Sequence, residues 1–241
     1  MKRRTVVDVH RDIGNNGPML TLAVVNQKGG VGKSTLSVNL AAAAHLSRHR
    51  TLVIDMDRQG SALDWSAARA ERSELDGLIV VKADRPLAPN KFREMAQGFD
   101  VVILDGPPRL GDLTRSAAVA ADVVLIPVQP GPFDLWASKE TLDLLDVADS
   151  MRAEIGRSPV KRLFVVNRSQ ATNLARETPE ALGAAGDVAG VVSQRVAFPA
   201  AAAIGESVLT TEPKGPAARE IRALYRTVTR AGVRARQAVA S

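Results

Sequence analysis

Asn26-Gln27-Lys28-Gly29-Gly30-Val31-Gly32-Lys33-Ser34-Thr35 stands between an apolar run, LTLAVVN (20–26), and a helical pattern at 34–47. Its tail, Gly32-Lys33-Ser34, fits the phosphate-loop pattern G-x-x-x-x-G-K-S/T, and its head does not, because position 27 is Gln. The chemistry of the pattern is intact. Gly29, Gly30 and Gly32, with Val31 between them, let backbone N–H groups turn inward around phosphate oxygens, and the N-terminus of the helix that follows adds positive potential. Lys33 is placed to bridge β- and γ-phosphates, the Ser34 hydroxyl to hold Mg²⁺, and Thr35 to reach the α-phosphate. Lys28 is a second lysine five positions before Lys33 and cannot share the same cradle. It is either a solvated loop lysine or a group that reaches a nucleotide held by a facing subunit.

Outward from this loop the chain alternates. Short apolar runs at 20–26, 51–56, 77–81, 100–105, 122–128 and 162–167 read as strands covered on both faces. Helical stretches fall between and after them at 34–47, 61–73, 90–97, 113–121, 134–152, 173–184 and about 216–238. Alternation of this kind predicts an α/β fold, a doubly wound and mostly parallel sheet flanked by helices. Residues 19–241 form one domain in this reading. Residues 1–18 are a short basic arm ending in a turn, and Met19 is a second candidate start.

Composition narrows the function. In 241 residues there is no cysteine, which excludes thiolate nucleophiles, disulfides and Cys-ligated metals. Aromatic residues are 3%, too few for a base-stacking surface. No apolar run is long enough to span a membrane and none follows MKRR as an export signal, so a cytoplasmic location is expected. The net charge of +6 is concentrated at the ends: residues 209–241 hold seven basic side chains against two acids. A basic end of this kind points to a polyanion or to a solvated helix face.

Two further segments belong with the loop if ligands sit at the carboxyl ends of the strands. VVILD ends in Asp105, followed by Gly106-Pro107-Pro108. An apolar run ending in Asp is the Walker B pattern, in which Asp105 holds Mg²⁺ through water and Gly106 approaches the γ-phosphate. The second strand ends in Asp55-Met56-Asp57-Arg58-Gln59-Gly60, where the two carboxylates either serve the metal and phosphates or cap the next helix. Asn167 reads an adenine edge or closes a turn. Phe198 and Pro199 pack on a base or in the core.

KGGVGKST (28–35) resembles the deviant Walker A motif, K-G-G-x-x-K-S/T, of the ParA/MinD ATPases. The likeness runs from about 20 to 230, and also takes in DMDRQGSALDWS, the GPP turn and QRVAF followed by GESVL and a terminal helix. It implies an ATP- and Mg²⁺-dependent P-loop NTPase in which Lys28 contacts the partner subunit's nucleotide within a sandwich dimer. By the same resemblance Asp57 orients or activates the attacking water and Asp55 supports the Mg²⁺ shell. Arg58 stands where the family usually has Pro, so a less rigid loop is expected there.

Within the family, the chain looks most like small plasmid-partition ParA proteins without an N-terminal helix-turn-helix domain. The missing cysteines set it apart from iron–sulfur relatives. The tail, from Gly232 to Ser241, has no Leu, Phe or Trp to bury in lipid, so no membrane partner is expected. Nonspecific DNA binding through Arg195, Lys214, Arg219, Arg222 and Arg226 is expected instead, doubled in an ATP-bound homodimer. The implied role is nucleoid-associated partition of a plasmid or chromosome, with slow hydrolysis stimulated by a ParB-like centromere-binding or adaptor protein. Positioning of a protein cargo such as carboxysomes or chemoreceptor clusters, or a MinD-like membrane-surface switch, are the alternatives.

Overall fold

The expected alternation is present in a computed structural model, which describes residues 19–240 except positions 110 and 184, with side chains left undescribed at 132–138, 173 and 238–240. The basic arm at 1–18 lies outside the described residues. Seven strands, β1 (Leu20–Val24), β2 (Thr51–Asp55), β3 (Ile79–Lys82), β4 (Val101–Asp105), β5 (Val123–Val128), β6 (Lys161–Ser169) and β7 (Asp187–Ser193), form one sheet in the order β3-β2-β4-β1-β5-β6-β7. Every neighbouring pair is parallel. The helices are α1 (Lys33–Leu46), α2 (Ser61–Ala67), α3 (Pro89–Ala96), α4 (Asp112–Ala120), α5 (Pro132–Glu154), α6 (Asn173–Gly183), α7 (Ala197–Ala202), α8 (Val208–Thr211) and α9 (Pro216–Ala240).

Side chains alternate across each strand and so feed two cores. Leu20, Leu22 and Val24 of β1 join Ile103 and Leu125 under α1, α2, α7, α8 and α9. Ala23, with Leu52, Leu104 and Ile126, packs on the other face against α3, α4, α5 and α6. Both faces are covered, which is why β1, β2, β4 and β5 read as unbroken apolar runs.

Helix α9 crosses the first face antiparallel to the strands. Near its start Glu220 bonds Ser193 at the end of β7. Farther along, a Cβ on Gly232 would lie 2.3 Å from Leu20 at the start of β1. The stripe Ile221, Leu224, Tyr225 and Val228 is buried, each at 5% exposure or less. Burial of such side chains is worth about 1.5–3 kcal/mol each, so packing outweighs the repulsion of arginines spread along the solvent face.

Three parts of the sequence expectation change. β7 was not expected: DVAGVVS is a half-exposed edge strand with a glycine inside it, and it gives no continuous apolar run. The short helices α7 and α8 were not expected either. α2 stops at Ala67 instead of 73, and the chain turns through Ser73 and Gly77 before β3.

Candidate functional site

The loop between β1 and α1 sits at the carboxyl end of the central strand, with β4 on one side and β5 on the other. Asn26 anchors it: its Nδ2 donates to the Pro127 carbonyl at 2.6 Å and its Oδ1 accepts from the Lys28 N–H at 3.0 Å. Gly30 and Gly32 have φ of 73° and 95°, a region that penalises any side chain. A Cβ on Gly32 would also meet the Asn167 amide at 2.3 Å. Gly32 is the N-cap of α1 and no side chain caps this end, so the first N–H groups of the helix face the loop with no intrahelical partner. That is an anion cradle of backbone donors.

Lys33 lies inside this cradle, 6% exposed, with Nζ donating to the Lys28 carbonyl at 3.0 Å. Burial pushes its pKa below the usual lysine value, while Asp105 and Asp57 pull it back up. The two lysines therefore meet on one loop, the buried one bonded to the backbone of the other. The Lys28 side chain is half-exposed.

Asp105 ends β4, fully buried. Its Oδ1 accepts from Ser37 at 2.9 Å, and its Oδ2 has no hydrogen-bond partner among the described residues. Burial raises its pKa to about 7; Ser34 and Ser37 oppose that shift, Asp55 adds to it and Lys33 opposes it. An orphaned carboxylate oxygen near Ser34 suits a hard divalent cation that takes its remaining ligands from water and phosphates, as Mg²⁺ does. Among the described residues no cluster of three His, Asp or Glu side chains would hold a metal alone. Gly106 follows because the chain passes within reach of β1 there: a Cβ would lie 2.8 Å from the Val24 carbonyl.

Asp55 pairs with Asp105 across the β2–β4 ladder. Its Oδ1 accepts from the Asp57 N–H at 3.0 Å, and its Oδ2 accepts from Ala62 and Leu63 at 2.9 and 3.0 Å. The carboxylate thus supplies the N-cap of α2 that Gly60, with no side chain, cannot. Asp57 is half-buried and closes the tight turn to Gly60, its Oδ1 accepting from Gln59 at 3.1 Å. Where looseness was expected at Arg58, Lys82 Nζ instead donates to the Arg58 carbonyl at 2.9 Å and ties this turn to β3.

A cavity of about 250 Å³ opens beside the loop and brings together Gly32, Thr35, Asn167, Arg195, Phe198 and Pro199. The Asn167 Nδ2 donates to the Val31 carbonyl at 2.7 Å, so this amide braces the phosphate loop. Phe198 is 7% exposed and belongs to the core, whereas Pro199 is exposed at the cavity mouth.

Lys214, Arg219, Arg222 and Arg226 gather at the first half of α9. Arg219 and Arg222 donate to the carbonyls of Lys214 and Pro213, each at 2.6 Å, which orders the turn before the helix. Arg195 does not join them as a free charge. It lines the cavity and pairs with Glu220 at 2.8 Å. Sequence reasoning missed Asn26, Ser37 and Lys82. Ser37 stands one helical turn after Ser34 and so faces the same strand end, a spacing that would have found it.

An α/β sheet with a glycine-rich phosphate cradle at the end of its central strand and an aspartate at the end of the neighbouring one defines the class of P-loop nucleotide-binding proteins. Residues 22–208 match the CobQ/CobB/MinD/ParA nucleotide binding domain, and the chain belongs to this family of P-loop ATPases. It is 32% identical over 239 residues to the chromosome-partitioning ATPase Soj of Thermus thermophilus, an alignment that covers 86% of this chain and 94% of Soj. It is 35% identical to the maintenance of carboxysome distribution protein A of Gloeobacter kilaueensis, over 86% of this chain and 91% of that protein. The structure of a Cyanothece McdA variant in complex with ATP superposes with a TM-score of 0.70 at 17% identity, over 88% of this chain and 96% of that one. No described helix is long and apolar enough to cross a membrane.

Proposed function

We propose that the chain is a ParA-type ATPase that closes an ATP-dependent sandwich dimer, binds DNA without sequence preference and drives partition of a plasmid or chromosome. The observation that carries this reading is the lysine pair. Lys33 fills the cradle and is held there by the Lys28 carbonyl, so the phosphates of its own subunit already have their lysine, and in this reading the second lysine, Lys28, serves the partner's nucleotide. ATP and Mg²⁺ are the ligands this site suits.

In this mechanism Lys33 exchanges the Lys28 carbonyl for the β- and γ-phosphate oxygens. The N–H groups of Gly30 to Lys33 hold the β-phosphate and Thr35 takes the α-phosphate. Ser34 and Asp105 would hold Mg²⁺, which would supply positive charge to offset that building up on the leaving phosphate. Asp57 aligns a water for in-line attack on the γ-phosphorus, and Asp55 keeps the strand end and α2 in register beneath it. The bond from the γ-phosphorus to the β–γ bridging oxygen breaks, leaving ADP and phosphate.

Lys214, Arg219, Arg222 and Arg226 meet the DNA backbone, and two copies in a dimer raise the residence time through effective concentration. In this reading hydrolysis is slow until a ParB-like centromere-binding protein stimulates it, and the working protein sits in the cytoplasm, on the nucleoid. The likeness to carboxysome-distribution proteins over most of the chain supports a second reading. In it the same switch carries a protein cargo through an adaptor.

Gel filtration of Asp57→Ala with ATP, with and without linear DNA, tests the shared core of both readings. A stable dimer that co-elutes with DNA is expected, and a Lys28→Ala, Asp57→Ala double variant is expected to stay monomeric. Dimerisation of that double variant equal to its parent rejects the trans-acting lysine.

A further inference from the structure

Helix α2 starts on the carboxylate of Asp55 and ends against a distant part of the chain. Trp65, 5% exposed, donates its indole N–H to the Glu206 carbonyl at 2.9 Å. Arg69, just past the helix, lies 4.6 Å over the Trp65 ring and points its Nε at the Gly205 carbonyl, 3.4 Å away. Its NH1 also donates to the carbonyls of Leu75 and Leu78, at 2.8 and 3.2 Å. The fit has no slack: Gly205 has a φ of 70°, and a Cβ there would lie 2.3 Å from the Arg69 backbone nitrogen.

The 205–206 turn leads directly to the basic helix. Ser207 caps α8 and donates to Asn39 of α1 at 2.7 Å, while Thr210 donates to the Glu206 carboxylate at 2.6 Å. Beyond α8 come Pro213 and Lys214, whose carbonyls Arg219 and Arg222 hold. A run of bonded groups therefore links Asp55, beside Asp57, to the arginines of α9; it is buried at Trp65, Gly205 and Ser207 and exposed from Pro213 onward.

We propose that the seam of Trp65 and Arg69 against residues 205–206 carries the state of the phosphate site to α9, so that a triphosphate and a diphosphate set different affinities of the basic face for duplex DNA. This rests on the reading of the chain as an ATP- and DNA-binding protein. The segment from Asp55 to Gly60 must adjust when Asp57 follows the γ-phosphate. The first turn of α2 is bonded to Asp55, so the helix moves as one short rod. Its far end meets the 205–206 turn, and close-packed contacts pass on such a shift instead of absorbing it. The bonds of Ser193 and Arg195 to Glu220 also join the site to α9. They border the cavity of Gly32, Asn167 and Pro199, however, which in this reading seats the base; a base is common to ATP and ADP, so these bonds report occupancy and not phosphate number.

The test measures affinity for a short fluorescein-labelled duplex by anisotropy, with ADP or a non-hydrolysable ATP analogue, in wild type, Trp65→Phe and Arg69→Met. Trp65→Phe keeps an aromatic face for Arg69 and removes the bond to Glu206. Arg69→Met leaves that bond in place and serves if the first variant does not fold. The analogue-over-ADP ratio of DNA affinity is expected to fall by about fivefold or more in each variant, with nucleotide affinity in the absence of DNA within about twofold of wild type. By reciprocity, the gain in analogue affinity that DNA causes, relative to its effect on ADP affinity, falls by the same factor. A wild-type ratio in both folded variants overturns the proposal. So does a ratio that falls only as nucleotide affinity or analogue-driven dimerisation is lost, because that marks a purely structural role. A ratio of one in wild type itself rejects the DNA-switch reading on which the proposal rests.

Discussion

Asp55 and Asp105 stand side by side at the ends of β2 and β4, both fully buried and both closing an apolar run. Their surroundings differ. Asp55 receives three backbone N–H groups, which spend both of its oxygens on the turn and the first turn of α2. Asp105 receives no backbone N–H in the same way: Ser37 donates to its Oδ1, the Ser34 hydroxyl lies close by, and its Oδ2 has no partner among the described residues. One carboxylate is satisfied by the fold, and the other is left for something the fold does not provide. Equal burial with unequal satisfaction points to different duties for the two acids, because a buried carboxylate oxygen without a partner is costly unless an ion, water or ligand takes it up.

Removing each acid breaks or sharpens this contrast. Asp55→Ala takes the acceptor from three N–H groups at once and is expected to cost about 2–4 kcal/mol of folding stability, read by urea denaturation. A loss under about 1 kcal/mol would show that α2 caps itself some other way. Asp105→Asn keeps the Ser37 bond and removes a buried charge, so the melting temperature is expected to hold or rise. Affinity for ATP in the presence of Mg²⁺ is expected to fall about tenfold or more, and EDTA to lower it little further, in a fluorescent-nucleotide titration. If Asp105→Asn were the less stable of the two variants, the assignment of roles to the pair would reverse.

These two residues also show what sequence can and cannot convey. Both were legible as strand-end acids, because central parallel strands are apolar throughout and a charge at their end stands out. Which acid was satisfied was not legible, since the answer depends on Ala62 and Leu63 turning their N–H groups back across the loop. The phosphate loop was readable because its demands fall on consecutive residues: glycines where φ is positive, then Lys33 at the first turn. The strand β7 was not, because an edge strand needs only half its side chains apolar and Gly190 interrupts even those. The same limit applies to Arg195. Its charge is plain in the sequence, but it lies in the loop after β7 and its partner is 25 positions away on α9.

Glu220 offers the smallest effect and the sharpest test of that last point. It is the one acid among the residues of α9. Burial raises its pKa, but bonds from Arg195 and Ser193 outweigh this and hold it below the ordinary glutamate value. A carboxylate with a depressed folded pKa stabilises the fold above its unfolded pKa, and that contribution disappears as pH falls through the folded value. Glu220→Gln is therefore expected to melt about 1–3 °C lower than wild type at neutral pH, with the gap closing as pH falls below the ordinary glutamate range. The modest size reflects a partly exposed pair. A gap that stays constant across that range would mean the amide loses packing and not charge, and Arg195 would then return to the set of cations open to a polyanion.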